Sequence, residues 1–158
     1  MIEKLTGIVI DIVRHNDRHN VVTLFTRSRG RVSFLSPVGK GRSGAMRSAR
    51  IAPLAWLDAE VNFRPTRSLQ MLSGVALHSV WHSLYFEPVK QSLIFFISEF
   101  LNRLLRVCAE DAGIFDYITG FLEALDSAGE GVENYHLAFL VGLMTHAGIH
   151  PMFDDREK

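Results

Sequence analysis

The sequence predicts an α+β chain in two modules, a small closed β-barrel followed by an all-helical domain, and three observations predict it. Apolar residues alternate with period two through residues 1–80 and recur with period 3.6 from Phe86 onward. Polar turn clusters cut the first part into five short β-branched and aromatic runs. Charge divides as well: residues 1–67 sum to +7 and the remainder to −7, within a formal net charge of zero.

The strands follow in order. "LTGIVIDIV" (Leu5 to Val13), "NVVTLFT" (Asn20 to Thr26) and "RVSFLSPV" (Arg31 to Val38) are separated by "RHNDRH" and "RSRG", and Gly30 can supply the positive φ of a hairpin turn. "LAWLDAEVNF" (Leu54 to Phe63) and "LQMLSGVALHS" (Leu69 to Ser79) are joined across "RPTR". Five short strands with the longest connection between the third and fourth suit a closed barrel better than a sandwich, and a five-stranded oligonucleotide-binding barrel (OB-fold) is the natural candidate.

The helices begin with "EPVKQSLIFFISEFLNRLLRVC", which opens on Glu87 and Pro88, both favoured in a first helical turn. Its spacing sets Val89, Phe96, Ile97, Phe100, Leu101, Leu104 and Cys108 toward a core and Ser92, Glu99, Arg103 and Arg106 toward solvent. A second helix starts near Ala112, carries Phe115, Ile118, Phe121, Leu122 and Leu125 inward, and stops at "GEG" (Gly129 to Gly131). A third, "VENYHLAFLVGLMTHAG", runs into Gly148 and Pro151. The modules are thus 1–80 and 81–158, with the boundary near "HSVWHSLYF". Three helices of which two are apolar on much of their circumference want further partners: either the domain is cut short within a larger helical body or that face meets another subunit.

Composition excludes several classes. The single cysteine, Cys108, allows no disulfide or multi-cysteine metal framework, which suits a reducing cytosol. The N-terminus lacks the apolar length and cleavage site of a signal peptide. "SLIFFISEFLNRLLRV" is interrupted by Glu99, Asn102, Arg103 and Arg106, which argues against a membrane span. His78/His82 and His146/His150 lie four apart, but neither pair has a local third ligand, so no metal site is expected. No nucleophile elbow is present, and "GKGRSG" departs from a phosphate-binding Walker loop because Lys40 is followed by Gly41. No catalytic residues are assigned, and an enzyme is not expected.

Binding to a polyanion is different. Between Asp17 and Asp58 there is no acid, while Arg18, Arg27, Arg29, Arg31, Lys40, Arg42, Arg47 and Arg50 supply eight positive charges. A basic surface of this kind gains affinity for nucleic acid from released counterions, and aromatic side chains give bases a stacking partner. Arg27, Arg29 and Arg31 crowd one hairpin, and Lys40, Arg42, Arg47 and Arg50 lie in the long third connection. Phe25, Phe34, Trp56 and Phe63 are mostly barrel core, with at most one or two left for stacking. No base-specific motif is visible, so binding without sequence preference is expected. A plain solvated basic surface, or an adaptor whose basic loops dock an acidic protein, is the competing reading.

Taken in order, these segments resemble one family. "LTGIVIDIVRHNDRHNVVTLFTRSRGRVSFLSPVGKGRS" is similar to the N-terminal signature of the bacterial recombination mediator RecO. "RIAPLAWLDAEV" resembles that family's following strand, and "ISEFLNRLL", "GIFDYITGFLEALD" and "LAFLVGLMTHAGIHP" resemble its three helices. The resemblance implies an OB-fold and a helical domain that bind single- and double-stranded DNA, anneal strands, and act with RecR to load RecA onto DNA covered by single-strand-binding protein (SSB), in the cytoplasm at the nucleoid. It implies DNA contacts at Arg27, Arg29, Arg31, Lys40 and Arg42. It also implies a site for the acidic C-terminal tail of SSB in the helical domain, where only Lys90, Arg103 and Arg106 could supply positive charge. Many members carry a four-cysteine zinc module after the third helix; the residues present support no zinc and leave it undecided.

Overall fold

A computed structural model describes residues 2–39, 50–106 and 111–146. Five strands, β1 (Ile2–Arg14), β2 (His19–Thr26), β3 (Gly30–Pro37), β4 (Trp56–Asn62) and β5 (Gln70–Leu77), form a closed barrel in the order β1-β2-β3-β5-β4. All pairs are antiparallel except β3 with β5, a short parallel contact at Phe34–Gln70 and Leu35–Met71. This is the expected OB-type barrel, and three helices follow it: α1 (Pro88–Leu104), α2 (Ala112–Ser127) and α3 (Tyr135–His146).

Closure depends on β1, which serves two neighbours. Ile2–Ile8 pairs with β4 and Gly7–Arg14 with β2. Gly7 lies where the two pairings overlap: a Cβ there would sit 3.1 Å from the Phe25 carbonyl oxygen and 3.2 Å from Thr26 Cγ2, so a side chain would push β2 away. Leu5 and Val9 point into the barrel with Val22, Leu24, Phe34, Leu57, Val61 and Leu72. Ile8, Ile10 and Phe25 instead join a second core, shared with Leu93, Ile97, Leu101, Phe115, Ile118, Leu122 and Phe139 of the helices. The uninterrupted "GIVI" therefore belongs to a strand covered on both faces, and the helical domain is packed onto the barrel wall.

Residues 53–55 and the linker after β5 stitch this junction. Leu54, fully buried at φ +60°, donates from its amide to the Val9 carbonyl at 2.7 Å, and its own carbonyl accepts from Trp81 Nε1 at 3.0 Å. A left-handed leucine is strained, and its bonds to Val9 and Trp81 hold it there.

Helix borders follow the expected signals. Pro88 opens α1, the Asp111 carboxylate accepts from Ile114 N at 3.0 Å to cap α2, and Gly131 takes φ +83° after it. The azimuth of α1 differs from expectation. Ile97 and Leu101 are buried as the spacing predicts, but Lys90, Leu93 and Ile94 complete the buried face while Val89 and Phe96 turn outward. A helix apolar around most of its circumference takes its orientation from its partner, here β1, whose Ile10 carbonyl accepts from Ser98 Oγ at 3.2 Å. Cys108, His150 and Pro151 lie outside the described residues. On α3 only Phe139 and Leu143 are buried, and Leu137 and Val141 face solvent. Among the described residues no helix is long and apolar enough to cross a membrane.

Candidate nucleic-acid interface

The β2–β3 hairpin carries three of the expected contacts, and its turn is built locally. Thr26 Oγ1 accepts from the Arg29 amide at 3.0 Å and donates to the Gly30 carbonyl at 2.8 Å, while Gly30 takes φ +65°. The arginines that this turn presents all have protein neighbours. Arg27 grips both oxygens of Asp116 on α2, at 3.0 and 3.2 Å. Arg29 grips both oxygens of Glu3, at 2.9 and 2.6 Å, with its guanidinium 4.1 Å from the centre of the Phe63 ring. Hydrogen bonding to these arginines holds the Asp116 and Glu3 carboxyls below the ordinary range. Arg31 donates from Nη2 to Asn102 Oδ1 on α1 at 3.0 Å, and its buried Nε has no hydrogen-bond partner. Burial, and then the nearby Arg106, lower the Arg31 pKa, with Asp11 opposing them. A phosphate reaching Arg27 or Arg29 must displace a carboxylate, which is feasible because both pairs are substantially exposed.

Of the expected contacts in the third connection, Lys40, Arg42 and Arg47 lie outside the described residues. Arg50 is described: its Nη1 donates to the Val75 carbonyl of β5 at 3.1 Å. It lines a recess of about 190 Å³ together with Leu77, Val80, Trp81, Tyr85 and Phe86.

The aromatic residues sort unexpectedly. Phe25 and Phe34 are fully buried, Trp56 stacks on His78 at 4.2 Å between ring centres, and Phe63 lies beneath Arg29. The aromatic faces most open to solvent belong to Phe86 and Phe95, 74% and 66% exposed against 40% for Phe96, and sequence reasoning did not single the first two out. A signal existed in the doublet "FF": Phe95 and Phe96, about 100° apart on α1, cannot both face one core.

The structure corrects the expectation for Lys90. Its ammonium is fully buried and donates to Ser83 Oγ at 2.7 Å and to the carbonyls of Asp126 and Ala128 at 3.2 and 2.6 Å. It caps the C-terminus of α2 and has no surface to offer an acidic peptide. The Asp126 carboxylate answers by accepting from the amides of His82, Ser83 and Leu84 at 3.0, 2.8 and 3.2 Å. Burial alone would raise the Asp126 pKa, but these amides outweigh it and hold the carboxyl below its ordinary value. Arg103 pairs with Glu99 at 2.9 Å, and Arg106 is exposed near Arg31.

One face of the barrel is unsuited to phosphate. The wide groove over β1, β4 and β5 is lined by Asp58 and Glu60 against a single Lys4. His78 pairs with Asp58 at 2.9 Å, and among the described residues no three potential metal ligands come together.

Comparison with known proteins agrees with this architecture. Residues 1–81 match the family described as recombination protein O N terminal, and residues 86–157 match recombination protein O C terminal. The chain is 33% identical over 155 residues to the DNA repair protein RecO of Bacteroides fragilis and 32% identical to that of Phocaeicola vulgatus, covering 98% of this chain and 64% of each relative. It is 31% identical over 147 residues to the DNA repair protein RecO of Porphyromonas gingivalis, covering 92% of this chain and 60% of that one. The chain therefore spans less than two thirds of these relatives' length, and across its two matched segments it belongs to the recombination protein O (RecO) family.

Proposed function

We propose that the chain is a non-enzymatic mediator of recombinational DNA repair whose barrel module, residues 1–80, binds single- and double-stranded DNA without sequence preference. The observation that carries this reading is the acid-free run from residue 18 to residue 57, with eight cations, borne on an OB-type barrel of this family. A phosphate backbone exchanges readily with the exposed carboxylates that neutralise Arg27 and Arg29. Arg31, Arg50 and the cations Lys40, Arg42 and Arg47 of the long connection supply the remaining contacts. In this reading the helical module, 81–158, is the protein-interaction part: the protein anneals strands and works with RecR to bring RecA onto SSB-coated DNA at the nucleoid. Arg103 and Arg106 remain for the SSB tail.

Titration of the purified chain with fluorescent single-stranded DNA tests the reading. Binding at low salt should weaken steeply as salt rises, about a hundredfold or more between 50 and 200 mM for several phosphate contacts. Replacing Lys40 and Arg42 together by Glu should weaken binding about tenfold or more and flatten the salt slope, with the melting temperature unchanged. The adaptor reading expects no binding even at low salt.

A further inference from the structure

We propose that Phe86 and Phe95, on either side of Tyr85 where the barrel meets α1, are a stacking platform for the bases of single-stranded nucleic acid. The inference rests on the DNA-binding reading above and deepens it by separating the surface that grips bases from the residues that grip phosphates.

Three observations carry it. First, solvent meets most of both rings, 74% for Phe86 and 66% for Phe95, while the barrel aromatics Phe25 and Phe34 are sealed in the core. Exposing two phenylalanines forgoes the burial each could contribute, and a large exposed apolar patch usually marks a binding surface. Second, each ring borders a shallow recess, about 190 Å³ beside Phe86 and about 210 Å³ beside Phe95, and Tyr85 lines both. Third, the dividing ridge is anchored: Tyr85 Oη donates to the Pro53 carbonyl at 2.9 Å, and the Tyr85 carbonyl accepts from Gln91 Nε2. A ridge already held in place costs little further ordering when a base settles against the rings beside it.

Charge selects the occupant. No acid lines either recess, and Arg50, the last cation of the acid-free run, lines the one beside Phe86. Glu87, next to Phe86 in sequence, is turned toward Lys90, with 3.5 Å between the charged atoms. The acidic groove over β1, β4 and β5 has the opposite character. An apolar aromatic surface edged by a guanidinium fits a base beside its phosphate; an unpaired strand offers both, whereas a duplex keeps its bases stacked inside.

The test compares wild type with Phe86→Ala, Phe95→Ala and the double variant, using oligothymidine and a blunt duplex of the same length. All three variants should melt with the wild type, since the removed rings are exposed. Oligothymidine affinity should fall about tenfold in each single variant and further in the double. Duplex affinity should stay within about twofold and the salt slope should not change, because no phosphate contact is lost. Phe86→Trp should restore oligothymidine binding. Equal losses on both ligands, or a double variant that binds oligothymidine like wild type while its self-association changes, would overturn the platform. Wild type that binds neither ligand at low salt would overturn the proposed function and the platform with it.

Discussion

Two polar contacts of the helices, one with the β2–β3 hairpin and one with the linker after β5, are built on opposite principles. At the β2–β3 hairpin, Arg27 reaches Asp116 through an ion pair with both side chains about half exposed. At the linker after β5, Lys90 and Asp126 exchange hydrogen bonds with backbone: the ammonium caps the end of α2 and the carboxylate holds the amides of residues 82–84. An exposed pair is screened by water and salt and can trade partners. A buried ammonium with its donors satisfied cannot leave without taking hydrogen bonds from the carbonyls it caps. The difference teaches which charges are free to meet DNA: the hairpin's can be lent to a phosphate, and the linker's are committed to the fold.

The largest expected effect comes from breaking the buried side of this comparison. Lys90→Ala should cost about 3 kcal/mol, measured as a lower urea midpoint, because it takes the Lys90 donor from the Ala128 carbonyl and leaves the Asp126 carbonyl with Ser83 Oγ. Lys90→Met, which keeps the aliphatic stem, should recover only the packing share of that loss. Neither should change DNA affinity at a temperature where both remain folded. If Lys90→Ala melted like wild type, the two contacts would not differ as described.

Asp126→Asn ranks next, at about 1–2 kcal/mol near neutral pH. Its pH dependence sharpens the contrast. The folded-state pKa lies below the unfolded value of about 3.9. Its stabilisation is therefore fully present above the unfolded value and is lost as pH falls through the folded one. Wild type should lose melting temperature more steeply than Asp126→Asn between about pH 5 and pH 3. Parallel curves would assign the acid sensitivity to other carboxylates.

The smallest effect belongs to the hairpin. A double-mutant cycle on Arg27→Ala and Asp116→Ala should show weak coupling in dilute buffer that vanishes in about 0.5 M salt. Asp116→Ala alone should leave single-stranded DNA affinity equal or tighter, because it frees Arg27; weaker binding would place Arg27 outside the interface.

Much was legible from sequence, and the particular residues show why. The alternation of "VVTLFT" and "RVSFLSPV", the Gly30 turn and the long third connection specify a five-stranded barrel, because strand period and turn chemistry are local properties. Pro88, Asp111 and Gly131 mark helix ends by equally local means. The sequence by itself also determined the charge division and the segments that carry the family likeness. Tertiary structure alone decided what each side chain faces. Phe95 and Phe96 are neighbours on an almost wholly apolar helix, and only the seating of α1 on β1 buries Ile94 and Ile97 and leaves the phenylalanines outside. Lys90 reads as a solvated charge until the end of α2 closes over it, and Arg27 as a free one until Asp116, 89 residues away, meets it. Period and propensity act over a turn of chain, whereas burial and charge pairing depend on contacts between distant segments that form only when the chain folds.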